Sequence, residues 1–271
     1  MEGWFLATRL DDYTFEDFGY KERFGETNPS TPEIEEKFIS IPGRPGRISF
    51  GTEIGVKQFK IPLMLIEKSE YERQQRRNNF VAFLFDAYRQ PRTFKLIFDY
   101  EPDKFYWVKV GSQLTPEMLY QMDQIELTLI ANDPTKYSVS KSEEITWEND
   151  VIPIYSDILW MTGEGVHTVT SPSTIEIVNN GTLAQLASFT ISGTGTNVGF
   201  SCNGKSFSLG TFTNTTFEID GKTYSVKKNG IDVFSALSGD FIELLPGVNN
   251  VQITGSDLNL TISENLRYAY M

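Results

Sequence analysis

The sequence predicts a mainly β protein in two parts: an N-terminal α+β domain, a β-sheet with one packed helix, followed by a C-terminal β-sandwich of jelly-roll type. Three observations carry this. A single segment has both a helix start signal and helical apolar spacing. Hairpin turn signals recur only in the C-terminal part, at Asn203-Gly204, Asp220-Gly221 and Asn229-Gly230. Charge also breaks between the halves, since residues 1–135 hold 17 of the 24 Lys and Arg. The boundaries read as 1–135 for the first domain, 136–170 for a connector and 171–271 for the sandwich.

The helix begins at Ser69-Glu70-Tyr71-Glu72, where Ser69 caps the backbone and Glu72 reaches back. Phe80, Leu84 and Tyr88 then recur at four-residue spacing, and Pro91 ends the run. Its first half is polar, with Arg73, Arg76 and Arg77 expected on a solvated face. Val56–Glu67 reads as a strand leading into the helix. Thr93–Tyr100 and Phe105–Val110 read as a hairpin closed by the four residues Glu101–Lys104. Ile125–Ala131 adds a strand that stops at Asn132-Asp133-Pro134. Phe105, Tyr106 and Trp107 alternate across their strand, so one face of it is expected outside the subunit's own core. Residues 136–170 are punctuated by Pro153, Gly163 and Gly165 and read as a connector. From Ser173 onward short strand-like runs alternate with turns, as in a sandwich.

Composition narrows the function classes. Hydrophobic residues make up 39% of the 271-residue chain, enough for a real core. The formal net charge of -12 disfavours nucleic-acid binding, which rests on neutralising phosphates. No apolar run approaches the length of a membrane span, and the N-terminus lacks a signal-peptide pattern. One cysteine, Cys202, precludes an intrachain disulfide, fits synthesis in a reducing cytoplasm, and reads as a small core residue. One histidine, His167, lies in a loop-like stretch with no nucleophile elbow and reads as a surface residue. A single His and a single Cys do not make a usual zinc site. The adjacent carboxylates Asp11-Asp12, Glu16-Asp17, Glu35-Glu36 and Glu143-Glu144 point to opposite faces of a strand and so do not form a glycosidase pair. Gly193-Thr194-Gly195 lacks the third glycine and the following helix of a dinucleotide site. No enzyme, metal or cofactor is expected, and no catalytic residue is assigned.

The order of elements and several motifs resemble the siphophage tail protein family, whose best-known members are distal tail proteins. The run FVAFLFDAYRQPRTFKLIFDYEPDKFYWVKV resembles the family's helix and strand pair, and IELTLIANDPTKYS its strand closing on Asp133-Pro134. TIEIVNNGTLAQLASFTISGTG and LSGDFIELLPGVNNVQITGSDLNLTISENLRYAY resemble its C-terminal end. The resemblance implies a structural virion protein at the tail tip. Its N-terminal domains would close a homohexameric ring under the tail tube, and its galectin-like C-terminal domains would project outward. The implied partners are further copies of the chain, the tail tube protein and the tail-tip and receptor-binding proteins, with DNA passing through unbound. Arg73, Arg76, Arg77, Phe105, Tyr106 and Trp107 are the expected interface residues, because interfaces favour arginine and aromatics. Two other readings compete: another tube or tail-tip hub component, and a carbohydrate-binding module contacting the host wall. The second is weakened by the lack of tryptophan in the last 100 residues.

Overall fold

The computed structural model describes residues 8–144, 156 and 165–271. The chain divides into two compact units between Lys136 and Tyr137.

The first unit is an antiparallel sheet with one helix. Its strands are β1 (Arg9–Leu10), β2 (Tyr13–Thr14), β3 (Tyr20–Glu22), β4 (Ile34–Ile39), β5 (Ile48–Ile54) and β6 (Lys57–Ile66). Helix α1 (Glu70–Leu84) follows, then β7 (Phe94–Phe98), β8 (Glu101–Val110), β9 (Glu117–Leu119) and β10 (Met122–Ala131). The main sheet runs β2-β1-β7-β8-β10-β6-β3, while β4 and β5 pair only with each other. Its spine is the β6–β10 ladder, from Met122 opposite Ile66 to Ala131 opposite Lys57. Strand side chains alternate between faces. Phe59, Ile61, Leu63 and Leu65 therefore point inward opposite Leu129, Leu127, Ile125 and Asp123, and all eight are buried.

The Ser69 hydroxyl accepts the Glu72 backbone N–H and starts α1 where the sequence places it. Phe80 and Leu84 are buried as expected. The helix ends at Leu84, however, and Tyr88 is exposed. The Asp86 carboxylate supplies the reason: it accepts the backbone N–H groups of Tyr88 and Gln90, both at 2.8 Å, in place of continued helical bonding. The hairpin turn also differs from expectation. Phe98 pairs with Glu101, so the turn is Asp99-Tyr100 and Glu101–Lys104 already belong to β8. These charged residues fit a strand because they neutralise one another. The Lys104 ammonium lies 3.1 Å from Glu101, and that of Lys136 lies 2.7 Å from it.

The second unit has a sheet of eight strands among the described residues. Its centre is three long strands, Ser188–Cys202, Lys205–Asp220 and Gly247–Glu264. Val166–Val169 pairs with the end of Gly247–Glu264, and Ser173–Asn179 with its start. Register breaks at Gly193–Gly199 let the long strands bend, and Gly193, Gly210 and Gly255 there hold φ values of 136°, 68° and 140°. One apolar core results, with Phe189, Ile191, Phe200, Phe217, Ile253 and Leu260 among its members. Cys202 is buried within it. Asn203-Gly204 and Asn229-Gly230 take the positive φ pairs of two-residue turns. Asp220-Gly221 does not: Asp220 pairs with Ser225 across a four-residue loop. Its carboxylate accepts from Ser188, Lys222 and Thr223, which makes the longer loop self-supporting.

Described parts of the connector associate with this second unit. The Ser138 N–H donates to the Tyr268 carbonyl, and the Ser142 N–H to that of Leu266. Residues 145–155 and 157–164 lie outside the described residues. His167 is a half-buried strand residue opposite Ile262, not a loop residue on the surface. Pairing with the long terminal strand recruits a segment too polar to read as a strand by itself.

Two stability effects follow. Phe80 packs its ring against Tyr20, Phe18 and Phe15, at centroid distances of 4.9, 5.4 and 6.2 Å. Phe80→Ala is expected to cost about 3–5 kcal/mol, measured by denaturant unfolding. Burial raises the Glu264 carboxyl to about 7 from 4.5. The folded state therefore keeps its proton while the unfolded state loses it, so stability falls between pH 4.5 and about 7 and levels off above. Glu264→Gln should flatten that slope and stabilise the protein at pH 8, as read by thermal unfolding across pH.

Candidate assembly surface

The six residues singled out from the sequence separate into buried and exposed sets. Arg73 and Arg77 turn inward. Their side chains are 12% and 10% exposed, and their Nε atoms lie 3.9 and 3.4 Å from the carboxylate of Asp123, which is fully buried on β10. The Arg73 guanidinium also donates to the Glu67 carbonyl at 3.1 Å. Tyr20 lies in the same interior, and its hydroxyl is pushed up to about 12 by burial and by the Asp123 charge. The basic half of α1 is thus its anchor on the sheet and not a solvated face. A buried acid on the fourth strand after the helix draws the arginines in, which helix spacing alone does not reveal. Arg76 alone stays half exposed, with a guanidinium nitrogen 3.6 Å from Glu67. Its chain also crosses Gly19, where φ is +81° and an added Cβ would meet Arg76 within 1.9 Å.

The aromatic strand divides likewise. Tyr106 is buried in the core of the first unit, and its hydroxyl accepts from Lys57 Nζ at 2.8 Å. Burial foremost, with the nearby Lys136 charge, pulls the Lys57 ammonium below its ordinary range. Phe105 is also buried, contrary to an open face at that position. Trp107 is 37% exposed, edge-on to Phe105 with centroids 5.1 Å apart. Lys95 Nζ covers both rings, at 5.4 and 5.8 Å. Of the six residues, Arg76 and Trp107 remain accessible to a neighbour.

The larger accessible surfaces lie elsewhere. All of β4 and nearly all of β5 are exposed, including Ile34, Phe38, Phe50 and Ile54. A second apolar group lies at the end of the main sheet, where Ile66 and Leu119 flank Met122 and Tyr120 is 91% exposed. The sequence carried a signal for the first: Pro42-Gly43-Arg44-Pro45-Gly46 is a turn between two apolar-containing runs. Among the described residues no group of three or more His, Cys, Asp and Glu is placed to hold a metal, and no helix is long and apolar enough to cross a membrane.

The Asp123 cluster makes a sharp prediction. Asp123→Ala leaves two buried guanidinium groups uncompensated and should cost about 3–5 kcal/mol in urea unfolding. Glutamate at Arg76 alone should leave the midpoint almost unchanged, whereas Arg77→Glu should unfold the first unit.

Comparison with known proteins matches this architecture. Residues 13–131 match the family model of the phage tail protein RIFT-related domain. No curated protein matches the chain. Among solved structures, the Dit protein of phage SPP1, described as a hub of the adsorption apparatus in phages infecting Gram-positive bacteria, is 14% identical. It aligns over 98% of this chain and 99% of its own with a TM-score of 0.73. A chain of the phage P2 baseplate in its activated conformation with calcium is 10% identical, with a TM-score of 0.47 over 97% of each chain. Residues 13–131 thus carry the match to a phage tail protein RIFT-related domain, and the chain shares the fold of SPP1 Dit over nearly its whole length.

Proposed function

We propose that the protein is the distal tail protein of a long-tailed phage, a structural hub that joins the tail tube to the tip and host-adsorption apparatus. The observation that carries this reading is the whole-chain likeness to SPP1 Dit, which spans both units of this chain. A likeness confined to the RIFT-related domain would fit many tail parts; the sandwich that follows narrows the choice. In this reading the N-terminal domains form a closed homohexameric ring and the sandwiches project outward. Its partners are the tube protein above and the tail-tip and receptor-binding proteins below. A net charge of -12 suits a ring through which DNA passes without being held. The protein works by assembly and not by catalysis. It acts in the virion, after synthesis in the host cytoplasm.

Ring contacts in such an assembly are heterologous, so each subunit needs two different surfaces. Arg76 and Trp107 are the sequence-derived candidates left accessible, and each serves as a rim contact.

The test is immunogold electron microscopy of intact tails with antibody against the sandwich. Label confined to the end of the tube, with six-fold averages of the tip, is the expected result. Label along the tube or on the capsid overturns the reading.

A further inference from the structure

The β4–β5 hairpin forms an arm with no core beneath it. Paired residues on an antiparallel pair share a face. One face of the arm therefore carries Ile34 opposite Ile54, then Glu36 opposite Thr52, then Phe38. Ile34, Ile54 and Phe38 are 57%, 51% and 45% exposed. The other face carries Glu35, Lys37 and Glu53, with Lys37 held at 2.8 and 3.2 Å by the two carboxylates. The arm is thus amphipathic over its base, where Lys37 satisfies the charged side and Ile34 and Ile54 lie open on the other; nearer the tip Ile39, opposite Ile48, lies on the charged side. A two-stranded hairpin alone is marginally stable in water, and open strand edges invite pairing. Each of its strands reaches about 20 Å, long enough to cross a neighbouring subunit.

The same unit carries a second open apolar surface of different shape. Ile66, Met122 and Leu119 form one cross-strand row on the outward side of β6, β10 and β9. Met64 and Gln124 form the next row, bounded by Lys21 on β3 and Glu117 on β9. Lys21 has no ion-pair partner among the described residues, and neither has Glu36 in the middle of the arm's apolar face. Lys21 thus lies at one rim of the sheet surface without an anion paired to it, and Glu36 lies on the arm's face without a cation paired to it.

We propose that the arm of one copy of this chain lies across the Ile66–Met122–Leu119 row of the next copy, with Glu36 against Lys21. The inference rests on the ring reading and names the contact that closes it. Two unlike patches on one domain, each complementary to the other, give a head-to-tail contact that propagates around a ring. The apolar rows supply the buried area, and the Glu36–Lys21 pair sets the register.

Disulfide trapping tests the contact in the full-length chain carrying Phe50→Cys and Tyr120→Cys; Cys202 is buried and does not compete. Oxidation at high protein concentration should produce a reducible ladder extending beyond the dimer, which neither single variant can give. A ladder that stops at the dimer indicates a closed two-fold exchange of arms and overturns the proposal, as does no ladder at all. In parallel, Glu36→Lys should weaken association about tenfold by sedimentation, and adding Lys21→Glu should restore it. Loss in the single variant without rescue in the double overturns the register. These outcomes are separable from the ring reading: six-fold tail tips in a virion whose subunit lacks residues 34–54 would sink the arm contact and leave the ring intact.

Discussion

The first domain is organised around the buried carboxylate of Asp123. It sits on the inward face of β10 and draws Arg73 and Arg77 from the one helix onto the sheet. An isolated buried charge is costly, and two guanidinium groups lie beside this one. The consequence is geometric. The amino-terminal half of α1, too polar to pack by hydrophobicity, is fixed by charge, while Phe80 and Leu84 fix its carboxyl-terminal half by packing. Between them they close one side of the sheet. Among the described residues no helix covers the opposite side, where Ile66 and Leu119 are exposed beside Met122.

That division explains why exposure falls where it does. A small mixed domain buries its inward strand residues against the helix and has little left to cover an excursion such as β4–β5. The arm keeps its shape through its own ladder and through the Lys37 ion pairs, with the Arg47 guanidinium 4.0 Å above the Phe38 ring. Such local devices hold a hairpin's conformation; they do not hide its apolar side chains. In the sandwich the situation is reversed. Long strands kinked at glycines enclose nearly all their aromatics, and some polar side chains inside are densely bonded. Asn249 shows this, accepting from Leu245 and Asn203 and donating to the carbonyls of Leu245 and Gly247.

The fold class was legible in the sequence because it depends on local signals. The Ser69 cap, the apolar alternation of β6 and β10, and the two Asn-Gly turns are each readable within a few residues. What escaped depends on partners distant in the chain. Whether an arginine-rich helix face is solvated or buried was decided by an aspartate that joins it only through the tertiary fold. Whether Glu101–Lys104 is a turn or a strand was decided by Lys136, 35 residues away. The alternation of Phe105, Tyr106 and Trp107 was read correctly as two faces, but the assumption that one face lies open failed at Phe105, which is buried although it lies outside the first unit's core cluster. Interface residues are the hardest case, since sequence pattern tells apolar from polar but not covered from uncovered.

The surviving accessible surfaces also constrain how the chain can assemble. A self-complementary two-fold contact needs one patch that fits itself. Here the arm is a narrow projecting strand pair, and the sheet end is a flat row flanked by charges of both signs. Neither shape is its own complement, and each lacks what the other offers. A head-to-tail contact between unlike patches has a direction, and copies add in one sense, into a ring where the rotation between them closes and a filament where it does not. The arm contact proposed above is of this directional kind, which sets it apart from a reciprocal two-fold exchange of arms.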